Sequence, residues 1–144
     1  MNPHEYLKSL GVEFTAHSGR TFYEHLCNVE LILKVCRQPE YVCLAGLYHS
    51  IYGTNYFTKT TTTDRDAIKN VIGEKAERLA YLFCNAHRPY CWFTSNDIIM
   101  RDGSFIRVDN QTLHDLRMIE GANLLEQQQG ADMIVSFTAN YNES

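Results

Sequence analysis

Proline is scarce in this chain, and runs of charge of one sign are missing. Pro3, Pro39 and Pro89 are the only prolines. The long intervals between them are open to helix, since proline removes a backbone donor and blocks the turn before it. Lys and Arg number 13 against 17 Asp and Glu, a net charge of -4, and Arg37, Lys59 and Arg65 stand singly. That pattern has no basic stripe of the kind nucleic acid requires, so DNA and RNA are not expected partners, while nucleotides stay open. No apolar run approaches the roughly 18 residues that span a bilayer, and the opening MNPHEYLKSL has no secretory apolar core. A cytoplasmic protein without a membrane partner is expected. The five cysteines, Cys27, Cys36, Cys43, Cys84 and Cys91, are odd in number and form no Cys-x-x-Cys pair, which argues for free thiols in a reducing compartment. Their apolar contexts also speak against a Cys-His nucleophile. Glycine-rich phosphate loops and a Gly-x-Ser-x-Gly elbow are absent as well.

What remains is a helical pattern over 144 residues, 44% of them hydrophobic, enough for one domain, 1–144, with a proper core. The spacing predicts helices over 3–10, 21–37 and 41–51. Two more are expected over 65–72, capped by Asp64 or Thr63, and over 74–85. A last long helix over 111–128 is capped by Asp109 or Asn110, and another short one follows Gly130. Its inward positions are Leu113, Leu116, Ile119, Ala122 and Leu124 or Leu125. Residues 97–108 read as a small β-hairpin about Asp102-Gly103, a favoured tight-turn pair. The fold class is therefore mainly α. Residues 12–20 and 54–63 read as irregular or loop.

The organising stretch is YVCLAGLYHSIYGTNYF, 41–57. It is apolar on all sides up to Tyr48, as a central helix is, and then delivers His49. His25 lies on the preceding helix. Counted from the turn at Gln38, His25 is thirteen positions back and His49 eleven forward. At a rise of ~1.5 Å per residue their heights agree within about 3 Å. Two imidazoles facing each other inside a bundle suit a metal ion. The alternative is two core histidines, each satisfied by a carbonyl or a tyrosine. Tyr48, Tyr52 and Tyr56 recur every four residues and suit core or pocket wall. His87-Arg88 reads as favourable charge at a helix C-terminus.

A histidine on one helix followed by a His-Asp pair at the end of the next buried helix resembles the HD-domain superfamily. LAGLYHSIYGT, 44–54, is similar to that family's helix-ending metal motif, with Ser50 where the aspartate belongs. It is closer still to small bacterial HD-like proteins with a His-Ser-x-Tyr-Gly-Thr form. HSGRTFYEHL at 17–26, IGEKAERLAYLF at 72–83 and ANLLEQ at 122–127 extend the likeness. The resemblance implies an HD-domain-like helical bundle and a divalent metal, iron, manganese or zinc, with His25 and His49 as ligands. It also implies phosphate-ester hydrolysis or, as in oxygenase members, dioxygen activation at an iron pair. Ser50 departs from the pattern: a neutral hydroxyl is a poor ligand for a hard divalent ion, which disfavours a two-metal site. The last helix would supply a third ligand, with Asp115 first and Glu120 and Asn123 behind it. His17 and Arg20 would grip a phosphate or carboxylate through the arginine's two-pronged donors, or serve as loop and capping residues.

Three functions follow as expectations. The first is a metal-dependent hydrolase of phosphohydrolase type, or an iron oxygenase, acting on a small anionic metabolite, with His17, Arg20 and Ser50 as catalytic candidates and His25, His49 and Asp115 as metal ligands. The second is an HD-like binding or regulatory module that has lost its metal. The third is an assembly role as a homodimer through Tyr90–Phe93.

Overall fold

Polar side-chain caps at the surface and apolar helix faces turned inward account for most of the architecture. The structure is a computed structural model; it describes the backbone of residues 1–17, 20–54 and 60–143, and the side chains of 1–15, 20–54 and 60–127. Helix α1 (Pro3–Ser9) is started by Asn2, whose side chain accepts from the Glu5 amide. A single 3-10 turn at Val12–Phe14 leads into a two-residue antiparallel pair, β1 (Ala16–His17) and β2 (Arg20–Thr21). That pair replaces the irregular segment expected there. Thr21 then caps α2 (Phe22–Val35) by accepting from the Glu24 amide at 3.1 Å. Helices α3 (Glu40–Leu47), α4 (Arg65–Ile72) and α5 (Glu74–Asn85) follow, with Asp64 capping α4. The predicted hairpin forms from β3 (Asp97–Ile99) and β4 (Phe105–Arg107), paired in register Ile98 to Ile106.

Two boundaries differ from expectation. α3 stops at Leu47 instead of reaching Ile51. The reason lies at Gly46, whose carbonyl accepts the Nδ1–H of His49 at 2.7 Å as well as its amide at 3.3 Å. A side chain thus satisfies a helix-end carbonyl that a further turn would have used. The last helix, α6, runs unbroken as backbone from Asn110 to Glu143, with Asp109 accepting from the Thr112 amide. Gly130 does not end it; one glycine costs a helix only about 1 kcal/mol.

α3 is the central helix and packs against α2, α4, α5 and α6. Val42, Ala45 and Leu47 are wholly buried, as are Leu26, Val29 and Leu33 of α2. The two helices approach closely at Gly46, where an added Cβ would lie 2.3 Å from Leu33 Cδ1 and 3.3 Å from Val29 Cγ1. Gly46→Ala should therefore destabilise by about 1–3 kcal/mol through overpacking. Urea unfolding monitored by circular dichroism checks this, and an unchanged midpoint would show that the helices can separate freely. The predicted inward positions of α6 hold for Leu113, Leu116, Ile119 and Ala122, and of the two alternatives Leu125 packs against the core while Leu124 is exposed. Of the aromatic stretch proposed for assembly, Tyr90 and Phe93 are exposed and Cys91 and Trp92 are buried. No helix among the described residues is long and apolar enough to cross a membrane.

Candidate functional site

His25 and His49 meet where α2 faces the turn after α3. Their Nε2 atoms stand 3.3 Å apart, and the ring centroids 5.1 Å apart at 64°. Both residues are almost wholly buried. His49 Nδ1–H donates to the Gly46 carbonyl, which can only accept, so the proton of neutral His49 sits on Nδ1. Burial, reinforced by His25 beside it, holds the His49 pKa well below the usual imidazole range. Its Nε2 is accordingly a bare lone pair.

α6 closes the other side. His25 Nδ1–H donates to Glu126 Oε1 at 2.6 Å. The other Glu126 oxygen accepts from Asn28 Nδ2 at 3.2 Å and from Arg20 Nη2 at 2.8 Å. Burial alone would raise the Glu126 pKa, but the hydrogen bonds from His25 and Asn28 and the charges of His25 and Arg20 outweigh it, so the carboxyl titrates below its usual range. Asn123 Oδ1 lies 3.0 Å from His49 Nε2, and Asn123 Nδ2 donates to Glu120 Oε2 at 3.4 Å. Two acceptors, His49 Nε2 and Asn123 Oδ1, thus converge with His25 Nε2. An arrangement of this kind calls for a cation: a proton carried by His25, or a metal ion.

Glu120 is itself held from behind. Arg88 donates to both of its oxygens through Nε and Nη2, and Trp92 Nε1–H donates to Oε1 at 3.0 Å. Phe83 fills the angle between these groups. Its ring stands edge-on to His49 at 5.3 Å and stacks on Trp92 at 5.6 Å, with the Arg88 guanidinium 4.6 Å away. Arg88 is therefore an internal counter-charge, and not the surface charge at a helix end that its position after α5 suggested.

The acid dependence has a definite sign. His49 and Glu126 both hold protons more weakly in the folded chain than in the unfolded one. Their stabilising contribution is present above the unfolded values, near 6.5 and 4.5, and is lost as pH falls through the lower folded ones. The thermal midpoint should therefore drop between about pH 7 and about pH 4, and Glu126→Gln should flatten the lower part of that fall. A midpoint that rises on acidification would contradict these protonation states.

Of the residues singled out in the sequence, His25 and His49 come together. Arg20 reaches the site from the side, on Glu126. Ser50 is buried next to His49, but its hydroxyl takes no part in the hydrogen bonds that join the pair. His17 stands in β1, and its side chain is outside the described residues, as is all of Tyr56. Asp115 is not brought to the imidazoles. It accepts from Tyr41 Oη at 2.6 Å and Gln111 Nε2 at 2.8 Å, and burial together with that bond pushes the Tyr41 phenol up to about 12. Asp115 lies eight residues, about 12 Å of helix, before Asn123. Asn123, third in the sequence ranking, takes the place given to Asp115. Glu126 and Trp92 were not anticipated. The one signal for Glu126 was its place in the ANLLEQ segment. Two of the buried thiols are held protonated: Cys84 Sγ–H donates to the His49 carbonyl at 3.1 Å, and burial pushes both Cys84 and Cys91 up to about 12.

Among the described residues no group of three or more His, Cys, Asp or Glu side chains is gathered to hold a metal. The donor set on offer is two imidazole nitrogens and a carboxamide oxygen. Its spacings of 3.3 and 3.0 Å match ligands at about 2.0–2.1 Å from one ion. The Nδ1 bonds to Gly46 and Glu126 are the outer contacts that metal-bound histidines make. Neutral nitrogen-rich donors suit zinc, cobalt or iron better than magnesium or calcium.

Residues 6–88 match the family described as Domain of unknown function (DUF6817). The matched segment carries Arg20, His25, His49 and Arg88, and stops before α6. No curated protein and no solved structure matches the chain.

Proposed function

We propose that this chain, which belongs to the DUF6817 family, binds one divalent transition-metal ion through His25, His49 and Asn123 and hydrolyses a small phosphorylated metabolite, in the manner of an HD-like phosphohydrolase. One observation carries the reading. His49 Nε2 and Asn123 Oδ1, both acceptors, converge with His25 Nε2 at 3.3 and 3.0 Å spacings, while the Nδ1 atoms of both rings are engaged by outer partners. A bound ion would supply a positive charge beside the substrate phosphate and a more acidic water.

The protein's own groups have separate tasks. The Gly46 carbonyl and Glu126 fix the two rings so that Nε2 points inward. Arg20 neutralises Glu126 from the side, and its buried Nε has no hydrogen-bond partner among the described residues. Buried donors of that kind call for an explanation, and a phosphate oxygen on Arg20 supplies one. Ser50 leaves the site without a bridging carboxylate, which favours one ion over two.

The test starts from metal-free protein titrated by calorimetry with zinc, cobalt, manganese and magnesium chlorides, with elemental analysis of the product. One zinc or cobalt per chain is expected, with little magnesium, together with ion-dependent hydrolysis of para-nitrophenyl phosphate. Failure to take up any transition metal under excess would overturn the reading. It would favour the second one, a metal-free HD-like module in which a proton shared by the two imidazoles is balanced by Glu126. The absence of any carboxylate from the donor set speaks for that second reading.

A further inference from the structure

We infer that Glu120, clamped by Arg88 and Trp92, is a positioning residue that decides which atom of the Asn123 carboxamide faces the imidazole pair. This rests on the metal reading above and adds a residue to it.

An asparagine side chain presents an oxygen acceptor on one side and an NH2 donor on the other, and the two arrangements fill nearly the same space. In isolation Asn123 beside His49 would choose the wrong one. Neutral His49 offers a bare Nε2, and the favourable neighbour for a lone pair is an N–H. The carboxamide would turn its Nδ2 towards His49 and occupy the lone pair that a metal needs.

Glu120 reverses that preference. Its Oε2 lies 3.4 Å from Asn123 Nδ2, and a carboxylate oxygen can only accept. Turning the amide over would set Asn123 Oδ1 against the carboxylate in a site where Glu120 is fully buried. Two acceptors facing each other there, one of them ionised, repel, and the low dielectric strengthens that repulsion. The carboxylate cannot evade the choice by rotating. Arg88 grips both oxygens and Trp92 Nε1–H holds Oε1, and Phe83 packs against both of these side chains. Charge-assisted bidentate pairs of this type fix orientation as well as position. The carboxamide oxygen is thereby kept towards His49 at 3.0 Å, against the local preference of the apo site. Asn123 is the side chain through which Glu120 reaches the imidazole pair.

The experiment is a set of zinc titrations on four full-length proteins: wild type, Glu120→Gln, Asn123→Asp and the double variant. In the wild-type background Glu120→Gln should weaken zinc binding by roughly 10–100-fold, the usual range for an outer contact of a metal ligand. In the Asn123→Asp background there is no amide to turn over, and the nearby Glu120 charge repels the new carboxylate. There Glu120→Gln should leave zinc affinity unchanged or raise it. Equal weakening in both backgrounds would mean that Glu120 serves folding only, and would overturn the inference. Wild-type protein that binds no zinc at all would instead remove the metal reading on which it rests.

A second measurement needs neither a variant nor a metal. In metal-free wild-type protein, nuclear Overhauser contacts from the Asn123 carboxamide protons should be stronger to the Arg88 side-chain N–H protons, which share Glu120 Oε2 with them, than to the His49 ring. The reverse pattern overturns the inference even if Glu120→Gln does not fold.

Discussion

His49→Ala is expected to reduce zinc affinity by more than the roughly 10–100-fold that an outer-contact change costs, and to abolish ion-dependent phosphatase activity with it. His49 Nε2 is the atom common to both short spacings, 3.3 Å to His25 and 3.0 Å to Asn123. Removing it leaves one imidazole and an amide, which is too few donors for a specific site. Helix α3 ends before residue 49, and Gly46 keeps other backbone partners, so the helical content should survive. Asp115→Asn is the matched control. Its carboxylate is engaged by Tyr41 and Gln111, and zinc affinity should not move. Calorimetry on the two variants side by side reads the difference. If His49→Ala bound zinc as tightly as wild type, the ion would have to sit elsewhere.

Trp92→Ala should be the most destabilising single change, by about 3–5 kcal/mol. The indole is fully buried and stacks on Phe83, so truncation opens a cavity that the bundle cannot close. It also takes one of the donors from Glu120 Oε1. Trp92→Phe keeps most of the volume and should cost about 1–2 kcal/mol, mainly for the lost hydrogen bond. Urea unfolding followed by circular dichroism measures both, since Trp92 is the only tryptophan and its fluorescence is lost with it. A cost for Trp92→Ala below about 1 kcal/mol would mean that the Phe83–Trp92–Arg88 layer carries little of the core.

The order of helices and the meeting of His25 with His49 were legible because both rest on local rules. Proline at 39 sets a short connection, similar counts on either side of the Gln38 turn, thirteen and eleven, set similar heights, and an all-apolar helix has to be central. The third contributor was not legible. α6 offers a polar residue to each turn, Asp115, Glu120, Asn123 and Glu126, and periodicity alone gives no measure of where along its length α2 crosses it. Choosing Asp115 followed charge, the usual guide to a ligand. The structure instead places a neutral amide at the imidazoles and the carboxylates behind it. Arg88 was misjudged for a related reason: its partner Glu120 lies thirty-two residues away, beyond the reach of any neighbour rule. The end of α3 depended on a histidine side chain bonding back to Gly46, which propensity does not register.

The 101 residues that separate His25 from Glu126 have a consequence for how the centre comes into being. While a nascent chain has delivered α2 and α3 but not yet α6, the two rings can be neighbours without their counter-ion, without Asn123 and without a roof against water. On the metal reading proposed above, ion capture would be tied to the docking of the final helix, and a chain stalled before that step would carry both histidines yet be unable to close a coordination shell around anything.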